Sequence, residues 1–377
     1  MNRFIYISKP IIEKQECDAV LKVLKSGNLV QGKKVAELEE KFSNLCNTKY
    51  AVATNNGTSA LHTALHAISL KPGDEVITTP FTFVATANSI LMAGAKPIFV
   101  DIDEMTYNLD PKKIENAITS KTKAILVVNL YGQPANYSKI NSIAKKNKLI
   151  VIEDAAQSID AEYQNKKSGN LADIACFSLY ATKNITSGEG GMITTNNKEY
   201  FGKAHLFRQH GQDENKRYEY FGLGYNYRMM DLQAAIAIEQ LKRLEFITIK
   251  RQKNAQIYNK NLANIKGLIL PYLSPDINHV YHQYTIRLTQ NFASNRKQFI
   301  DYLKKKNINV GIYYPKPLHL VKHLAEYGYK VGDFPVSELI SNQVLSLPVH
   351  PQLSNKDILY IIKTINDYKN KIAYEKI

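Results

Sequence analysis

The chain has 377 residues, 44% of them hydrophobic, which excludes a disordered polypeptide and leaves room for two domains with a sizeable core. No run of eighteen apolar residues occurs and the start, Met1-Asn2-Arg3-Phe4-Ile5-Tyr6, lacks a signal-peptide stretch, so no membrane association is expected; Cys17, Cys46 and Cys176 are too scattered for a disulfide framework or metal site, and a reducing cytoplasm fits. The charge of +15 comes from basic residues spread along the chain, as in Lys145-Lys146 and Lys304-Lys305-Lys306, which read as solvated faces suited to anionic small molecules rather than a nucleic-acid partner.

Residues 9–48 read as helical. Ile11, Ile12, Cys17, Val20, Leu21, Val23 and Leu24 recur at helical spacing, and Val35, Leu38, Phe42 and Leu45 mark a second helix after a glycine-punctuated loop. A strand at 50–54 runs into Asn55-Asn56-Gly57-Thr58-Ser59 and then a helix with Ala60, Leu61, Ala64, Leu65 and Ile68 on one face. Gly57, Thr58 and Ser59 thus lie at a helix N-terminus, where free N–H groups and the helix dipole attract anions, although ordinary capping by Thr58 or Ser59 has the same spacing. Further apolar runs at 75–78, 97–100, 123–129, 149–152 and 174–177 alternate with helical segments, and another begins at Met192-Ile193. Continuous apolar strands alternating with helices predict a mostly parallel sheet covered on both faces, with ligands beyond the strands' carboxyl ends. Asn129, Asp154 and Phe83 fall at such ends, and Gln157 lies one turn past Asp154.

Lys183 sits between two buried runs, just before Gly188-Glu189-Gly190-Gly191. Desolvation lowers an amine's pKa and makes it a nucleophile toward aldehydes; a surface lysine is the alternative. The run from Gly222 to Met229 reads as a loop rich in glycine and tyrosine, and Gly222-Leu223-Gly224 lacks the third glycine and preceding strand of a dinucleotide site. A helix from Asp231 to about 265 bridges to a second region. There 281–288 alternates like a half-exposed strand, 296–305 is helical, 310–314 and 344–348 are strand-like, and 356–369 closes as an amphipathic helix. The expected division is a large α/β domain over 1–235 and a small α+β domain over 236–377.

An imine-forming lysine, a carboxylate for a ring nitrogen, an anion cradle and a stacking aromatic are together the requirements of pyridoxal 5′-phosphate (PLP). Lys183, Asp154, Thr58 with Ser59 beside Gly57, and Phe83 would supply them in that order. Two readings from other classes stay open. A DNA-binding regulator would leave Lys183 and Asp154 without purpose, and a nicotinamide-dependent sugar oxidoreductase would need a glycine-rich first turn that Asn55-Asn56-Gly57-Thr58 does not provide.

Five ordered segments resemble the DegT/DnrJ/EryC1/StrS family of PLP-dependent sugar aminotransferases. They are Asn56-Gly57-Thr58-Ser59-Ala60-Leu61, Glu153-Asp154-Ala155-Ala156-Gln157-Ser158, the lysine segment from Phe177-Ser178 to Gly191, Tyr225-Asn226-Tyr227-Arg228-Met229, and Tyr314-Pro315-Lys316-Pro317-Leu318-His319. The resemblance implies fold type I of the PLP-dependent transferases, aspartate aminotransferase-like, with a mostly parallel seven-stranded sheet and a smaller C-terminal α+β domain. It implies that Ser178 binds the cofactor phosphate and Gln157 the ring hydroxyl. Asn226 is implied to reach the neighbouring subunit's cofactor, making a cytoplasmic homodimer with shared sites. Arg228, Tyr314 and His319 become candidates for binding sugar nucleotide or donor. Relatives with histidine at the lysine position dehydrate their substrates; Lys183 points instead to transamination, from L-glutamate, giving 2-oxoglutarate, to a nucleotide-linked keto sugar for surface polysaccharide (O-antigen-type) synthesis. Ala181 and Glu189 resemble members that aminate C4 of 4-keto-6-deoxyhexoses, whereas C3 enzymes tend to carry proline and aspartate at the corresponding places.

Overall fold

The computed structural model describes residues 4–374 apart from 214, 215, 217 and 293, with side chains through 369; Met1, Asn2 and Arg3 lie outside the described residues. The strands are β1 (Tyr50–Thr54), β2 (Glu75–Thr78), β3 (Lys96–Phe99), β4 (Thr122–Val128), β5 (Ile150–Asp154), β6 (Ile174–Ser178) and β7 (Gly191–Thr195). They form one sheet in the order β1-β7-β6-β5-β4-β2-β3. All neighbouring pairs are parallel except those made by β7, which is antiparallel to both β6 and β1.

Helices flank both faces of this sheet: α1 (Lys14–Ser26), α2 (Lys33–Cys46), α3 (Gly57–Ala67), α4 (Val84–Met92), α5 (Tyr137–Asn147), α6 (Lys198–Phe207) and α7 (Asp231–Leu241). Successive strand residues point to opposite faces, and here both faces are buried. Val52, Ile152, Cys176 and Ile193 pack with Ala60, Leu61, Ala64 and Leu65 of α3. Their neighbours Ala51, Ala53, Ala175, Phe177 and Met192 pack with Val35, Leu38 and Phe42 of α2. Ile125, Val127 and Val151 meet Tyr137, Ile140 and Ala144 of α5. Each large side chain so buried contributes about 1.5–3 kcal/mol, which is why the strands read as unbroken apolar runs. Asp231, the first residue of α7, caps α2 from across the chain, accepting from the N–H groups of Gly32 (2.9 Å), Val35 (3.0 Å) and Lys34 (3.2 Å).

The expected long bridging helix is two helices. α7 packs on α1 and α2, and α8 (Leu244–Leu262) follows a break at Lys242 and Arg243 and packs on α11 (Asn355–Tyr374). The boundary expected at 235 falls inside α7, and we propose that the division lies at the break instead. A second core gathers Tyr258, Tyr284, Ile286, Phe299, Leu345, Ile361 and Ile365, joined by Ile5 from the start of the chain. It lies on an antiparallel sheet of β8 (Leu268–Ile269), β9 (Tyr284–Leu288) and β10 (Val344–Leu347), with α9 (Arg296–Lys305) beside it.

Three expectations are corrected here. β9 is buried throughout rather than half exposed, because its alternate residues meet polar partners. Thr285 bonds Ser346, and the Arg287 guanidinium donates to Glu104 at 2.7 Å. Residues 310–314 make only an isolated bridge, Gly311 to Ser346, and form no strand. In α1 the apolar stripe is largely outside, with Leu21 and Leu24 exposed and Val23 buried. α6 and α10 (Pro335–Gln343) occupy stretches to which the sequence assigned no element. Among the described residues, no helix is long and apolar enough to cross a membrane.

Candidate active site

The carboxyl ends of β1, β2, β5 and β6 and the N-termini of α3 and α4 surround a cavity of about 760 Å³. Gly57, Thr58, Ser59, Phe83, Asp154, Gln157, Ser178, Lys183 and Tyr314 all line it.

The α3 N-terminus is capped by neither Thr58 nor Ser59 but by Asn56, whose Oδ1 accepts from Ser59 N–H at 2.9 Å. The N–H groups of Gly57 and Thr58 have no partner among the described residues. Gly57 also lets the end of β6 come close: a Cβ on it would lie 2.8 Å from Ser178 Cβ. Two free N–H groups, a helix N-terminus and the hydroxyls of Thr58 and Ser178 therefore converge, a donor set made for a phosphate.

Lys183 follows β6 in a turn closed by its N–H to Tyr180 carbonyl bond of 2.9 Å. Among the described residues no carboxylate forms an ion pair with its amine, and Asp154 acts on it through charge alone. Burial pulls that amine down from 10.5 to about 8, an effect the Asp154 carboxylate opposes. Asp154 ends β5 and is only 5% exposed. Its Oδ2 accepts from Thr86 Oγ1 at 2.8 Å and its Oδ1 from Ala156 N–H at 3.2 Å. Burial pushes this carboxyl above its usual range, while those two donors and Lys183 hold it down. Gln157 is fixed at both ends: its Oε1 accepts from Tyr131 N–H at 2.7 Å and its Nε2 donates to the Tyr314 hydroxyl at 3.3 Å. The Phe83 ring is 55% exposed within the cavity rim, 6.1 Å from the Tyr314 ring.

Under Asp154, Glu153 is wholly buried. It accepts from Asn129 Nδ2 (2.9 Å), Ser168 Oγ (2.5 Å) and Gly169 N–H (2.9 Å), and burial pushes its carboxyl up to about 7. Asn129, expected at the rim, belongs to this network and not to the cavity lining.

Asn226, Arg228 and His319 are not brought to the cavity. His319 is fully buried, with Nε2 3.1 Å from Glu338 Oε1 and its ring edge-on to Phe334, because its short helical turn faces inward. Arg228 is half-buried and Asn226 exposed, on a ribbon tied to the phosphate-type turn by Asn55 N–H donating to the Tyr227 carbonyl at 2.8 Å. Several lining residues were not anticipated, among them Thr82, Thr86, Tyr180, His282 and Tyr313. His282 comes from the second half of the chain, and its Nδ1 lies 3.3 Å from Asn184 Oδ1. Only Thr82 and Thr86 carried a local signal, two hydroxyls four residues apart where a helix follows a strand.

The model of the DegT/DnrJ/EryC1/StrS aminotransferase family matches residues 10–366. The chain is similar to the UDP-2-acetamido-2-deoxy-3-oxo-D-glucuronate aminotransferase of Pseudomonas aeruginosa, 40% identical over 94% of this chain and 96% of that protein. It is similar to the GDP-perosamine synthase of Caulobacter vibrioides, 38% identical over 96% of this chain and 97% of that protein. A solved structure of a candidate sugar aminotransferase of Streptococcus pneumoniae in its PLP form overlays with a TM-score of 0.93, 28% identity and coverage of 98% and 100%.

Proposed function

The chain belongs to the DegT/DnrJ/EryC1/StrS aminotransferase family, and on that premise we propose that it moves the amino group of L-glutamate to C4 of a nucleotide-linked 4-keto-6-deoxyhexose. The single observation that carries the reading is the Lys183 amine, lowered to about 8 and unpaired, sharing one cavity with Asp154 and the open N-terminus of α3. The relatives named above support a nucleotide sugar as acceptor and PLP as cofactor. The residues fit that cofactor: the Gly57–Ser178 approach leaves donors free for a phosphate, and Asp154 offers a carboxylate for a ring nitrogen.

When bound, PLP supplies an aldehyde for amine exchange and a ring that withdraws electrons from the reacting carbon. The protein's own residues do the rest. Thr58, Ser59 and Ser178 would hold the phosphate, and the Asp154 carboxylate would accept from the protonated ring nitrogen. Gln157 would orient the ring edge, and Phe83 would cover one face. Lys183 Nζ would take the α-proton of glutamate as a general base and return a proton as a general acid. An amine near 8 suits both roles at neutral pH, since its charged and neutral forms are both accessible. Tyr314 lines the cavity and is the remaining candidate for contact with the sugar.

The active unit we propose is a homodimer. Tyr220, Phe221 and Leu223 are exposed, Leu223 at 70%, on the ribbon that carries Asn226 and Arg228. A second copy would bury these apolar groups and bring Asn226 to the partner's phosphate. The C4 assignment rests on Ala181 and Glu189 in the lysine segment. The loaded protein, given L-glutamate and either a nucleotide 4-keto-6-deoxyhexose or a nucleotide 3-keto sugar, should aminate the first. NMR that places the new amine at C3, or turnover of the 3-keto sugar alone, would overturn the C4 assignment and leave the aminotransferase standing.

A further inference from the structure

Asp154 is held by a chain of hydroxyls. Thr82 and Thr86 are 2% and 1% exposed, and their Oγ1 atoms lie 3.1 Å apart. Thr86 Oγ1 lies 2.8 Å from Asp154 Oδ2. The direction of the protons follows from the groups' capacities. An ionised carboxylate only accepts, so the single proton of Thr86 goes to Asp154. Thr86 then has none left for Thr82, and the 3.1 Å contact is filled by the proton of Thr82. The order is Thr82 to Thr86 to Asp154, each hydroxyl polarising the next toward the carboxylate. The spacing is built by local structure: Thr82 lies just before α4 and Thr86 in its first turn, so residues four apart stand on one face. Ala156 N–H on Oδ1 completes the grip and fixes the carboxylate plane.

We propose that Thr82 and Thr86 form a donor relay that orients Asp154 and keeps it an ionised acceptor for the cofactor's ring nitrogen, with Thr86 the positioning residue and Thr82 its support. This rests on the reading of Asp154 as the ring-nitrogen partner. Without the relay the carboxylate stands in a buried site with one donor fewer. Its protonated form gains, and the ring nitrogen loses the anion that keeps it charged. The opposing tendencies already meet at this group, since burial favours the neutral acid and the Thr86 bond favours the anion.

The test uses the holoenzyme loaded with PLP labelled with ¹⁵N in the ring, with four variants. The measurements are the ring ¹⁵N chemical shift and the rate of the half-reaction with L-glutamate. Thr86→Val keeps the shape and removes the donor. It should move the shift toward the unprotonated value and slow the half-reaction about tenfold or more, as expected for a lost bond to a charged group. Thr86→Ser should restore both, and Thr82→Val should shift them in the same direction by less. If Thr86→Val leaves the ¹⁵N shift at the wild-type value while Asp154→Asn moves it, the relay is wrong and the Asp154 reading survives. If Asp154→Asn leaves it unmoved as well, the Asp154 reading falls and the relay with it. A Thr86→Val protein that loses activity with an unchanged ¹⁵N shift would also overturn the relay, because the loss would then arise away from the ring nitrogen.

Discussion

Replacing Gly57 by alanine separates stability from cofactor binding in a way the geometry makes quantitative. The new Cβ would lie 2.8 Å from Ser178 Cβ and 3.1 Å from Ser178 Oγ, closer than such atoms tolerate, and Ser178 Cβ is too near its backbone to swing away. The α3 N-terminus and the end of β6 must therefore part by several tenths of an ångström. Overpacking of this kind costs about 1–3 kcal/mol, and alanine's better helix propensity offsets up to about 1 kcal/mol. The fold should lose about 3 kcal/mol at most. The phosphate should lose more in relative terms, because the displaced N–H and Ser178 hydroxyl are charge-assisted donors worth about 1.5–3 kcal/mol each, or roughly 10- to 150-fold in Kd. Urea unfolding of the cofactor-free protein and a PLP titration read by absorbance measure the two effects separately. Gly202 is the control: it lies within α6, and a Cβ there meets nothing within 4 Å. Gly202→Ala should stabilise by about 0.5–1 kcal/mol and leave PLP affinity alone. A Gly57→Ala protein with a Kd within about twofold of wild type would refute the assignment of this turn as the phosphate cradle.

Three other outcomes are expected. Lys183→Met should stop amination, by about 10³-fold or more, yet stabilise the cofactor-free protein near neutral pH. The folded amine titrates near 8 against 10.5 unfolded. Between those values the unfolded chain holds a proton the folded one has released, so wild-type stability rises with pH there and the variant's advantage should shrink; urea midpoints at about pH 7 and about pH 9.5 measure it. Asp231→Ala strips three N–H groups of α2 of their acceptor and should cost about 1–3 kcal/mol in urea unfolding. Mixing inactive Lys183→Ala and Asn226→Ala chains should restore roughly a quarter of wild-type turnover if sites are shared across a dimer, because half the dimers are mixed and each has one intact site. No recovery on mixing would argue for sites complete within one chain.

The large sheet was legible because its strands are buried on both faces, as with Ala175 against α2 and Cys176 against α3, so hydrophobicity alone marked them. The second region was less so. In β9 the polar residues Thr285 and Arg287 are buried by partners far away in sequence, which single-strand alternation cannot distinguish from exposure to water. Leu21 and Leu24 scored as an inner face yet lie outside, since helical spacing reports an apolar stripe without saying what covers it. At the site, the motif residues Lys183, Asp154 and Gly57 stood out because their types are costly or unusual in their places. Tyr131 and His282 were invisible because only tertiary folding brings them to Gln157 and Asn184. His319 shows the converse, a motif residue whose bonds to Glu338 and packing on Phe334 turn it away from the cavity.

Lys183 and its cavity should hold PLP for amine exchange with glutamate. The most direct measurement is the visible absorbance of the protein incubated with PLP, before and after L-glutamate. A yellow protein whose visible band is lost on adding L-glutamate, with 2-oxoglutarate formed in equal amount, is the predicted result. A protein that stays colourless after incubation with PLP would contradict the account at its root.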